Sequence, residues 1–106
     1  MKVLVIEDDE AIRHVLGDVL KMTGHYAFDA TNLEEGMNLL NSVKPDVVLL
    51  DLLLEGAIGT PFIETARALT KYHPPRIIIM SAMKDAKNIA EQTGTEFLSK
   101  PFDIHT

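Results

Sequence analysis

Three short apolar runs and a fourth, mixed segment in this chain each lead into a residue that can do chemistry. Val3-Leu4-Val5-Ile6 runs into Glu7, Asp8, Asp9 and Glu10, and Val47-Val48-Leu49-Leu50 ends on Asp51. Ile77-Ile78-Ile79-Met80 ends on Ser81, and Glu96-Phe97-Leu98-Ser99 is followed by Lys100-Pro101. Read as strands, the first three buried on both faces, these runs deliver an acid pair, an aspartate, a hydroxyl and an ammonium at their C-terminal ends. Carboxylates that converge on one crevice repel each other, and a hard divalent cation with oxygen ligands relieves the repulsion. Mg²⁺ suits such a site, because it takes one or two carboxylates and keeps waters or phosphate oxygens in its other positions. One acid is then left for chemistry. A carboxylate can attack phosphorus and hold an aspartyl phosphate, while a lysine and a hydroxyl neutralise or hydrogen-bond the transferring oxygens.

Each residue also has a plainer reading. An aspartate is common where a strand gives way to a turn. Four acids ahead of a helix can serve as its cap and complement its dipole. Ser81 can be a small strand-end residue, and Lys100 a solvated one. The argument rests on their joint order, acid pair, aspartate, serine, lysine, at successive strand ends.

The segments between the runs supply the frame. After the first acids, Ile12, Val15, Leu16, Val19 and Leu20 recur at helical spacing, with Gly24 placed to stop the helix. His25 to Thr31 contains an alternating stretch, with Tyr26 and Phe28 on one side, that suits an edge strand. Asn32 followed by Glu35 resembles a capping box for a helix with Leu33, Met37, Leu40 and Val43 inward, and Pro45 forbids its continuation. Beyond Asp51 comes a glycine-bearing loop. Thr60-Pro61 then opens a third helix whose inner face is Phe62, Ile63, Ala66 and Leu69. His73-Pro74-Pro75 breaks the chain, and a short helix over 85–93 is stopped by Gly94. Five strands alternating with helices argue a doubly wound parallel sheet, and the short chain favours the flavodoxin-like order 2-1-3-4-5. In that order the ends of strands one, three, four and five open onto one crevice.

Composition excludes several classes. At 106 residues the chain makes one domain, and without cysteine it has no disulfides or thiolate metal sites, as suits the cytoplasm. Ten basic residues against 16 acidic give a net charge of −6 with no basic stripe, which argues against direct nucleic-acid binding. The first apolar run is too short to be a signal peptide or a membrane span. Neither a dinucleotide fingerprint nor a phosphate-binding Walker loop is present.

On the acid pair, Asp51, Ser81-Ala82 and Lys100-Pro101, the chain from Lys2 to Ile104 closely resembles the receiver domain of two-component response regulators. The resemblance implies Asp51 as phosphoacceptor, Asp8 as direct Mg²⁺ ligand, Glu7 acting through water, and the main-chain carbonyl of Leu53 as a further ligand. It implies Ser81 as the switch hydroxyl, Lys100 as its ion-pair partner and Phe97 as the switch aromatic. It implies a histidine kinase or histidine phosphotransfer protein as phosphodonor, and the output is expected to be either another protein or a segment beyond this chain. The chain departs from the family pattern after Asp51, where Leu54-Glu55 replaces a methionine-proline pair. It also stops at Thr106, where a fifth helix would begin, so a C-terminally short receiver that self-associates through the thinly covered face is expected. Two rivals remain. A receiver that is never phosphorylated would act as an interaction module, against which the complete set Asp8, Asp51, Ser81 and Lys100 argues. A phosphohydrolase of the haloacid-dehalogenase type also attacks with a strand-end aspartate, but wants a second aspartate where Leu53 stands.

Overall fold

The computed structural model describes residues 1–51, 53, 54, 57, 58, 60–70, 74–81 and 86–99. In chain order the elements are β1 (Lys2–Ile6), α1 (Glu10–Met22), β2 (Tyr26–Ala30), α2 (Leu33–Val43), β3 (Val47–Asp51), β4 (Leu53–Leu54), β5 (Ala57–Ile58), α3 (Thr60–Leu69), β6 (Arg76–Ser81), α4 (Ala86–Thr93) and β7 (Glu96–Ser99). Five of the strands form one parallel sheet in the order β2-β1-β3-β6-β7, which is 2-1-3-4-5 among themselves. The fold is the flavodoxin-like one that the alternation predicts.

Each face of the sheet has its own apolar cluster. Leu4, Ile6, Val48, Leu50, Ile77 and Ile79 project to one side, against Leu40 of α2, Phe62, Ile63 and Ala66 of α3, and Ala90 of α4. Val3, Val5, Val47 and Met80 project to the other, against Leu16 of α1 with Ile12 and Leu20 beside it. Strand period two explains the division, since successive side chains point to opposite faces. On the α1 side Leu49 and Ile78 are only half-buried and Leu98 is exposed. Arg76 of β6 reaches diagonally to Glu96 of the neighbouring strand β7, which lies opposite Ile78, and joins it by Nε to Oε1 at 2.5 Å and Nη2 to Oε2 at 2.7 Å. The hydrogen bond to Glu96, and then its charge, raise the pKa of the Arg76 guanidinium. Residues 100–106 lie outside the described residues, and with them the expected missing fifth helix and the self-association argued from it.

Helix ends follow their residue types, with two refinements. Asp9 caps α1 by accepting from the Ile12 amide at 3.0 Å, and Gly24 takes φ +87 just past its end. Asn32 caps α2 by accepting from the Glu35 amide at 2.8 Å, but the Glu35 carboxylate bonds the Thr31 hydroxyl rather than closing the box on Asn32. That hydroxyl is a nearby donor, so one of the two expected box contacts is exchanged for a side-chain one. Lys44 ends α2 in the left-handed region at φ 54, where the following Pro45 denies it the right-handed helix. The loop after Asp51 contains a small unpredicted hairpin, Leu53 opposite Ile58 and Leu54 opposite Ala57.

Two helical glycines test the packing with opposite signs. A Cβ on Gly36 would lie 2.6 Å from Cδ1 of buried Ile6, whereas one on Gly17 would meet nothing within 4 Å. Glycine to alanine gains about 1 kcal/mol of helix propensity in either helix. At residue 17 that gain stands; at residue 36 an overpacking cost of roughly 1–3 kcal/mol opposes it. Urea unfolding should therefore show Gly17→Ala more stable than wild type and Gly36→Ala less stable. The same sign for both would refute the close α2 to β1 approach.

Candidate functional site

The parallel register brings the acids together. Ile6 pairs with Leu50, so Glu7 leaves the end of β1 beside Asp51, the last residue of β3. Glu7, Asp8 and Asp51 each offer a carboxylate oxygen, and these atoms lie within 4.8 Å of one another. Glu7 is 1% exposed and Asp51 6%, while Asp8 is exposed. For two buried carboxylates at that separation, Coulomb repulsion at an effective dielectric of about 20 is on the order of 3 kcal/mol before any partner offsets it. Among the described residues no buried side-chain nitrogen or oxygen is left without a hydrogen-bond partner. Three hard oxygen donors converging on one point fit a hard divalent cation, so the cluster could hold a metal.

The backbone around the acid pair is tied down at every turn. Glu7 donates its amide to the Ala30 carbonyl at 3.0 Å, and its Oε1 accepts from the Asp9 amide at 3.1 Å. The Glu7 carbonyl accepts from Nη1 of Arg13 at 3.0 Å, and Nε of the same guanidinium pairs with Asp29 at 3.2 Å. A charged donor on a carbonyl in part-buried surroundings contributes about 1.5–3 kcal/mol, whereas an ion pair to an exposed carboxylate adds about 0–1. Arg13 therefore acts mainly on Glu7. The sequence reading missed this residue; the signal was a cation one turn into the helix that follows the acids.

Of the four acids after β1, two join the cluster, Asp9 caps the helix and Glu10 lies in its first turn. Ser81 ends β6, next to β3, and is 2% exposed. Phe97 lies in β7, opposite Ile79, half-buried against the cluster that α2, α3 and α4 cover. Leu53 opens β4 two residues beyond Asp51. Lys100, which follows β7, lies outside the described residues.

A five-stranded parallel α/β domain of this order belongs to the class that binds its ligands at the carboxyl edge of the sheet, and here that edge carries a cluster of acids. The model for the response regulator receiver domain matches residues 3–106, and the chain belongs to that family. The KDP operon transcriptional regulatory protein KdpE of Escherichia coli K12 is 34% identical over 104 residues, which cover 96% of this chain and 45% of that protein. This chain thus matches less than half of that regulator. The sporulation initiation phosphotransferase F of Bacillus subtilis is 30% identical over 106 residues, covering 97% of this chain and 84% of its own length. A two-component response regulator from Clostridium difficile superposes with a TM-score of 0.87 at 25% identity, covering 99% of this chain and 87% of that one. No helix among the described residues is long and apolar enough to cross a membrane.

Cation binding to this cluster should register as folding stability, since a ligand that binds only the native state stabilises it by mass action. Millimolar Mg²⁺ should raise the melting temperature of wild type above that in sodium chloride of equal ionic strength. In Asp8→Asn the increment should vanish. An equal increment in that variant would remove Asp8 from the site.

Proposed function

We propose that the chain takes a phosphoryl group from a histidine kinase or histidine phosphotransfer protein onto Asp51 and switches conformation in response. The observation that carries this reading is the convergence of Glu7, Asp8 and Asp51 at adjacent strand ends, with Ser81 on the next strand. Mg²⁺ suits the cluster as its cation, and Asp8, Asp51 and the Leu53 carbonyl would hold it, with Glu7 acting through water. When bound, it neutralises charge on the transferring oxygens and on the carboxylates around it.

A carboxylate oxygen of Asp51 attacks phosphorus in line. The O–P bond forms as the N–P bond of the phosphohistidine breaks, the imidazole nitrogen keeps the electron pair, and the product is an aspartyl phosphate. Burial keeps Asp51 from water and strengthens each electrostatic contact made there. The Ser81 hydroxyl then donates to a phosphoryl oxygen and the Lys100 ammonium pairs with another. Phe97, half-buried on β7, follows the Ser81 movement and carries the change towards the surface. The domain signals to another protein in the cytoplasm, and its chemistry is limited to its own phosphorylation and dephosphorylation.

Incubation with acetyl phosphate and Mg²⁺, followed by intact mass measurement, tests the assignment. Wild type should carry one phosphoryl adduct and Asp51→Asn none. Labelling of Asp51→Asn to the wild-type extent would sink it. No adduct on wild type would favour an unphosphorylated interaction module, and continuous release of phosphate a phosphohydrolase.

The adduct should be long-lived. Hydrolysis needs a water in line with phosphorus, and the residues two beyond Asp51 and two beyond Ser81, which flank that approach in the family, are Leu53 and Met83. Neither side chain can orient water by a strong hydrogen bond. Leu53→Asn should shorten the half-life of the adduct severalfold; an unchanged or longer half-life would refute the point.

A further inference from the structure

The peptide that joins Glu7 to Asp8 carries a side-chain anchor on its carbonyl. Its oxygen accepts from Nη1 of Arg13 at 3.0 Å, and the Arg13 guanidinium is itself held by Asp29 at 3.2 Å. A peptide is planar, so holding the Glu7 oxygen also restrains the Asp8 nitrogen and Cα, the atom from which the Asp8 side chain departs. The base of the anchor is rigid, because the Arg13 amide makes the first helical bond of α1 to the Asp9 carbonyl at 2.9 Å. Its side chain is 12% exposed, against 61% for Asp29 on the edge strand β2. Arg13 and Asp29 both line an open groove of about 300 Å³ between α1 and β2, whose walls include Gly17, Lys21 and Ala27.

We propose that Arg13 is a positioning residue for the metal-binding acid pair, and that Asp29, on the edge strand, sets Mg²⁺ affinity through it. The inference rests on the reading of Asp8 as a Mg²⁺ ligand. It also has a sign that charge alone would reverse. A guanidinium near the acids disfavours a second cation by Coulomb repulsion, so removing it should tighten Mg²⁺ binding if charge were its only effect. Positioning predicts weaker binding.

The test is Mg²⁺ titration of the metal-free chain by calorimetry, on wild type, Arg13→Met, Arg13→Lys and Asp29→Asn at a temperature where each is folded. Arg13→Met should weaken Mg²⁺ about tenfold, the scale of losses when the partner orienting a metal ligand is removed. Arg13→Lys keeps the charge but cannot bridge two acceptors as a planar fork does, so it should weaken binding nearly as much. Asp29→Asn should weaken it less, and should add little when combined with Arg13→Met. In metal-free protein the Asp9 amide should exchange hydrogen faster in Arg13→Met, while amides in the middle of β3 are unchanged. Unchanged or tighter Mg²⁺ binding in both Arg13 variants, with wild type binding normally, overturns this inference and leaves the proposed function standing. If wild type binds no Mg²⁺, both fall.

Discussion

The parallel pairing of β1 with β3, from Val3 opposite Val47 to Ile6 opposite Leu50, is the constraint on which the site hangs. It sets two buried carboxylates side by side, an arrangement that repulsion of about 3 kcal/mol opposes. Against this stand Leu4, Ile6, Val48 and Leu50, all fully buried on one face. Slipping the register by one residue would turn a strand's apolar set to the wrong side. Leaving even two of these side chains unburied would forfeit roughly 3–6 kcal/mol, at about 1.5–3 kcal/mol each. The apolar rows therefore win, and the acids are held where they would not gather by themselves. A cluster that could hold a cation exists because packing elsewhere has already absorbed the cost of making it.

Most of this architecture was legible because its signals are local. An apolar run that ends on a polar residue names both a strand and what it delivers, and Asn32, Gly24 and Pro45 mark helix ends by their own backbone preferences. What escaped the sequence depends on distance in the chain or on choice among equivalents. Arg13 matters through the Glu7 carbonyl, and no pattern of side chains reveals a main-chain acceptor. Periodicity put Val15 on the inner face of α1, yet it is 39% exposed, because Ile12, Leu16 and Leu20 form the row that meets the sheet. Glu35 could reach Asn32 or Thr31, and took the hydroxyl. The hairpin after Asp51 is too short for its period to stand out from a loop.

The two faces of the sheet are unequally served. Three helices close one side with a continuous core, while α1 alone among the described helices covers the other, over Val3, Val5 and Val47. The same helix begins next to the acids, so the element that packs this face also carries Asp9 and Arg13 to the loop around Asp8. Packing and site geometry here share one rigid body, and a change in how α1 sits on the sheet reaches the acid pair through its first turn.

The link between Lys2 and Asp46, where the Asp46 carboxylate accepts from the Lys2 amide at 2.9 Å across 44 residues, has a consequence in time. β1 is synthesised before its neighbour β3, which arrives only after a helix, another strand and a second helix. Closing a loop of that length costs about 3 kcal/mol of chain entropy before any contact is gained, and pairings of this kind slow folding. Until it closes, Glu7 and Asp51 are strangers. Their mutual repulsion acts only once the strands behind them have zipped, so it does not hinder the search for the fold. A nascent chain that has not yet reached β3 has no cluster at all, and the three acids meet only at the moment when the centre of the sheet is complete.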